Sequence, residues 1–155
     1  MRFQAEMDGG QLFLAAMAAG GRNACLTAAQ ARILLFVLDT EAPHLFSGPH
    51  FHWVPSRFGP SDPAVHQMIE ELADRTEVKI RKLKRSLLYR LSGSGEVVAK
   101  RHLSKLDPVS SQYLKNAVTW VKSMDERTLI EDEMQKQYHH MTLFPGRPSH
   151  LSQNS

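Results

Sequence analysis

LTAAQARILLFVLD (residues 26–39), HWVPSRFGPSDPAVHQMIEELADRTEVKI (52–80) and LLYRLSGSGEVVAKRHL (87–103) are the stretches whose reading decides the fold. In the first, Thr27 is a good N-cap because its hydroxyl can accept a hydrogen bond from an unsatisfied N–H of the first turn. The helix it opens runs to about Thr40, with Ile33, Leu34, Val37 and Leu38 recurring on one face. Pro43, Gly48 and Pro49 break the chain, and the aromatic Phe51-His52-Trp53-Val54 predicts a short strand. Asp62 caps the next helix with Pro63 at its first position, where a missing N–H costs nothing. Val65, Met68, Ile69, Leu72 and Ala73 then form an amphipathic stripe through residue 74. Val78-Lys79-Ile80-Arg81 alternates as a half-buried strand does, Leu87 to Leu91 supplies its partner, and Lys84, Arg85 and Ser86 fall at the hairpin tip.

Working outward, residues 10–19 predict a short apolar helix ended by Gly20 and Gly21. After the hairpin, one helix starts beyond Gly93 and runs to about Leu106. A second opens at Asp107-Pro108 with a stripe of Val109, Tyr113, Ala117, Trp120, Val121 and Met124. Asp125 caps a last helix with Leu129, Ile130, Met134, Tyr138 and Met141 on its apolar side. From Pro145 the composition turns to Gly, Pro, Ser, Gln and Asn, which predicts a disordered tail over 145–155 behind a single domain over 1–144. This order of elements predicts a mainly α, α+β fold: a winged helix-turn-helix with a two-stranded basic wing and additional C-terminal helices.

At 155 residues and 42% hydrophobic content the chain suits one domain with a real core. Cys25 is the single cysteine, so no intrachain disulfide forms, and a lone small thiol beside Leu26 reads as a core residue. The N-terminal apolar stretch is short and interrupted by glycines, unlike a secretory signal, and no segment reaches the ~18 apolar residues of a membrane span. A soluble, cytoplasmic protein is expected. The net charge of +3 is unevenly spread. Residues 75–105 hold ten basic side chains against Glu77 and Glu96, a local excess of eight, which leaves −5 for the rest. Such a patch attracts phosphate or an acidic protein surface.

The chemical motifs are sparse. Gly93-Ser94-Gly95-Glu96-Val97-Val98 sits where a phosphate-binding loop belongs, but Val98 takes the place of the third small residue and only helices follow. A flexible turn ahead of a helix is the expectation. His44, His50 and His52 cluster, with His139 and His140 near the end, yet no metal-ligand spacing is present. No G-x-S-x-G occurs and no serine has an identifiable base partner. Neither an enzyme, a metal site nor a cofactor is expected.

Nucleic-acid binding receives a mixed signal. The helix before a wing normally enters the major groove, led by Arg, Lys, Asn or Gln. Here the polar face of helix 63–74 carries His66, Gln67, Glu70, Glu71 and Asp74, with no lysine or arginine before Arg75. Those carboxylates would repel a phosphate backbone. The wing residues Lys79, Arg81, Lys82, Lys84, Arg85 and Arg90 suit phosphate or an acidic partner. The conflict favours a protein partner facing the acidic helix, with duplex DNA on the wing as the alternative.

Several motifs carry a resemblance. Leu26–Asp39 resembles the LTPxQLQKxLFLL-type helix of small bacterial and phage-associated winged-helix proteins related to YwgA-like and SocA-like (Panacea antitoxin) domains. Phe58, Gly59, Pro60 and Pro63 are similar to that family's YGPFSP-like turn, and Tyr89, Leu91, Ser92 and Gly95 to its Y-x-L-T-x-x-G element. Tyr138, His139, His140 and Met141 stand where the family has Y-P-E-M, so the resemblance covers residues 10–144. Ala31, Arg32 and Ile33 depart from the L-Q-K core, Ser92 replaces threonine, and the two histidines replace Pro-Glu. The resemblance implies a non-enzymatic module in toxin–antitoxin, phage or mobile-element settings, its partner a toxin or host factor. The apolar C-terminal helices, with Tyr113, Trp120, Val121, Leu129 and Met134, further suggest a homodimer.

Overall fold

The computed structural model describes residues 6–57 and 59–123, which form an α+β structure. In chain order it comprises α1 (Gly9–Ala19), β1 (Cys25–Thr27), α2 (Ala28–Glu41), a 3-10 turn (Pro43–Leu45), α3 (Pro63–Asp74), β2 (Val78–Lys82), β3 (Leu87–Leu91), α4 (Gly93–Ser104) and α5 (Pro108–Ser123). The three strands make one antiparallel sheet in the order β1-β3-β2. The helix expected from Asp125, the Tyr138–Met141 motif, His139, His140 and the tail after Pro145 lie outside the described residues, as does Phe58.

Two capping boxes fix the central helices. Asp8 Oδ1 accepts from the Gln11 N–H at 2.8 Å while the Asp8 N–H donates to Gln11 Oε1 at 3.0 Å. Thr27 and Gln30 repeat the arrangement at α2 (3.1 and 2.9 Å). Each box satisfies two N–H groups that a helix start leaves free. Leu12 to Met17 in α1 and Ile33 to Asp39 in α2 are buried without a break, as expected of helices surrounded by other elements. α1 packs chiefly on α4 and also on α5, which in turn lies on α2.

The strand β1 is absent from the sequence reading. Cys25, Leu26 and Thr27 pair with Arg90, Tyr89 and Leu88 of β3, and Leu26 and Tyr89 both point into the core. The alternation along β1 turns Cys25 to the opposite face, where it is partly exposed instead of buried. Residues 51–54 form no strand. Only Val54 bridges, to Ser61, through reciprocal 3.0 Å bonds that close the loop before α3. In α5 the buried side chains are Ser110, Leu114, Ala117, Val118 and Val121, while Val109 is 70% exposed. The Asp107 carboxylate caps Ser110 (2.8 Å to its N–H, 3.2 Å to its Oγ) and thereby sets which face turns inward.

The Gly93-Ser94-Gly95 stretch is the first turn of α4, not a loop ahead of it. Ser92 is the N-cap and accepts from the Gly95 N–H at 2.9 Å. A Cβ at Gly95 would lie 1.8 Å from the Glu77 carbonyl oxygen. Close backbone approach, not phosphate binding, is why glycine stands there.

Candidate partner-binding surface

The surface begins at α3. Asp62 caps the helix, accepting from the Ala64 N–H (2.9 Å) through one oxygen and from the His52 N–H (2.8 Å) through the other, so the preceding loop is tied to the helix start. Val65, Ile69 and Leu72 are buried. That leaves His66, Gln67, Glu70, Glu71 and Asp74 exposed together, as the stripe requires. His66 Nε2 lies 3.4 Å from Glu70 Oε2.

A left-handed Thr76 (φ 60°) turns the chain from α3 into β2. The Thr76 carbonyl accepts from the hydroxyls of Ser92 and Ser94. The Glu77 carbonyl accepts from the Ser92 N–H at 3.1 Å. The start of α4 is thus bolted to the turn, which fixes the acidic helix and the basic hairpin relative to each other.

All six cations expected on the wing are exposed: Lys79, Arg81 and Lys82 on β2, Lys84 and Arg85 in the connecting turn, and Arg90 on β3. The tip closes with the Leu83 N–H donating to the Ser86 carbonyl at 2.9 Å. Lys79 pairs directly with Arg90, and Arg90 with Cys25. Lys79, Arg81 and Arg90 therefore share the outer sheet face, while Lys82 has the parity of the core face. Among the described residues none of these six forms an ion pair within 4 Å. Of the strand alternation read from the sequence, only Val78 is buried. Ile80, on the edge strand, is 36% exposed.

Sequence reasoning missed two features. The first is Asp39, 4% exposed at the end of α2. Its Oδ2 accepts from the N–H groups of His50 and Phe51 (both 2.9 Å) and from Trp53 Nε1 (3.1 Å). Burial holds this carboxyl above the ordinary aspartate range, with the three hydrogen bonds opposing the shift. No local pattern marks it, since Asp39 follows an apolar run and its donors come from the loop of residues 50–53.

The second is a groove of about 490 Å³ between the start of α1, the His50-Phe51 loop and α3. Phe51, Met68 and Leu72 supply apolar walls and Asp8, Gln67 and Glu71 polar ones. Arg75 also lines it, but its guanidinium is engaged by Glu77 (Nη2 to Oε1, 3.1 Å).

Among the described residues the histidines do not converge. His50 Nε2 lies 2.7 Å from the Phe46 carbonyl, and His44 and His52 are exposed. Among the described residues no group of three or more His, Cys, Asp or Glu is placed to hold a metal ion, and no helix is long and apolar enough to cross a membrane. No protein-family model matches the chain, and no curated protein matches it.

Proposed function

We propose that this chain is a cytoplasmic, non-catalytic interaction module of the winged-helix type, antitoxin-like or associated with phage or mobile elements, that acts by binding a protein partner. The order helix, strand, helix, helix, hairpin, with β1 and β2 flanking β3, supports the winged-helix reading. The observation that carries the functional reading is the exposed face of α3. It presents Glu70, Glu71 and Asp74 without one lysine or arginine, beside a hairpin with six exposed cations. A phosphate backbone meets repulsion at that helix, whereas an oppositely patterned protein gains on both parts. The partner class is a toxin or host factor. Affinity capture from the native host, by wild type and by a Glu70→Lys/Glu71→Lys/Asp74→Lys variant, tests this. A stoichiometric partner retained only by wild type is expected, and no stoichiometric partner would sink the reading.

A second reading, a regulator gripping duplex DNA through the wing, is favoured by the direct pairing of Lys79 with Arg90. Like charges opposed across two strands cost up to about 1 kcal/mol, which a phosphate would offset. It predicts retardation of duplex DNA at low salt. Alanine at Arg81, Lys82, Lys84 and Arg85 would then flatten the slope of log K against log salt by up to ~3.6. Absence of any retardation at low salt removes it.

A further inference from the structure

The tip of the hairpin has the chemistry that the groove beside α3 would accept. Leu83 is 37% exposed at the tip, an apolar side chain among the exposed cations Lys82, Lys84 and Arg85. The groove offers the complement. Phe51, Met68 and Leu72 give an apolar lining at a volume of about 490 Å³, within the range of about 300–1,000 Å³ usual for binding clefts. Its rim carries the exposed carboxylates Asp8 and Glu71, with Glu6 lining an adjoining cleft beside Asp8.

The charge in the groove is negative in effect. Arg75 is neutralised by Glu77, and the His50 ring is held at the Phe46 carbonyl. Neither Asp8 nor Glu71 has an ion-pair partner among the described residues.

We infer that a second copy of this chain seats its hairpin tip, Leu83 flanked by Lys82, Lys84 and Arg85, in the groove between α1 and α3. Leu83 meets the apolar wall and the flanking cations meet Glu71 and Asp8. Because every copy carries both a tip and a groove, a reciprocal exchange closes as a two-fold dimer with both grooves filled. This interface is separate from the dimer through the C-terminal helices anticipated from the sequence, and because it covers Glu71 and the tip cations it excludes a foreign partner on the same residues.

Sedimentation velocity on the full chain tests it, over protein concentrations up to about 100 μM and at about 50 and 500 mM salt. Expected is a dimer at low salt that dissociates at high salt. Leu83→Glu or Glu71→Lys alone would weaken it by about tenfold or more, and Glu71→Lys combined with Lys84→Glu would restore it. Circular dichroism of each variant checks that these exposed substitutions leave the fold intact. A chain monomeric at low salt at every concentration overturns the proposal. So does a dimer indifferent to both Leu83→Glu and Glu71→Lys, which would put the interface elsewhere.

Discussion

Asp39 and Gly95 each make a sharp demand on their neighbours. Asp39 holds two backbone N–H groups and the Trp53 indole, so Asp39→Ala strands three half-buried donors. A loss of about 2–4 kcal/mol in urea unfolding is expected, with Asn, which keeps an acceptor oxygen, costing less. The pH dependence follows from the direction of the shift. A native carboxyl raised above its unfolded value binds its proton more tightly when folded. Its contribution is therefore present at low pH, falls as pH rises from about 4 through the raised native value, and is flat above that. Urea midpoints measured against pH should show this falling limb in wild type and its absence in Asp39→Asn. The two glycines of α4 separate as cleanly. Gly95→Ala drives a Cβ into the Glu77 carbonyl and should cost more than about 3 kcal/mol, while Gly93, with nothing within 4 Å, should tolerate alanine within about 1 kcal/mol. Thermal melts of the two variants decide it. Neither role was legible in the sequence. A Gly-Ser-Gly run reads as a turn until the chain that packs on it is placed, and the face Asp39 occupies gains donors only when the loop folds back.

Elements whose boundaries are set by local chemistry matched their reading. Thr27 caps α2, and Asp62 with Pro63 opens α3, because caps and prolines act within a few residues. The hairpin of β2 and β3 was legible for the same reason. β1 was not: three residues make no periodic pattern, and their partners lie on β3, more than sixty positions away in the chain. In α5 the stripe held at Ala117 and Val121, which are buried, and at Tyr113 and Trp120, which pack against the core, but not at Val109, because the Asp107–Ser110 cap turns Ser110 inward and Val109 out. That assignment predicts contrasting costs. Leu114→Ala, at a fully buried site, should lower stability by about 2–4 kcal/mol, and Val109→Ser should change it by less than about 0.5 kcal/mol. Equal losses at the two sites in chemical denaturation would show the helix to be turned the other way.

At the scale of the whole molecule, the charge asymmetry visible in the sequence becomes a geometry. The exposed acids of α3 and the exposed cations of the hairpin are held side by side by the Thr76 turn and the N-terminus of α4. The exposure of the α3 side chains was legible, since the helical stripe turns them outward, whereas on β2 the alternation holds only at Val78 and Lys82 is exposed despite the parity of the core face. The groove next to α3 was not legible, because its walls come from α1, the 50–51 loop and α3, and no local pattern joins them. The proposal is that α3 meets a protein instead of a phosphate backbone. Titration calorimetry of the purified partner, captured from the host, against wild type and against Glu70→Lys/Glu71→Lys/Asp74→Lys measures this most directly. Stoichiometric binding by wild type, weakened about a hundredfold or more by the reversal, is the predicted result. Unchanged affinity in the variant, or tighter binding of duplex DNA than of any protein by wild type, would contradict it.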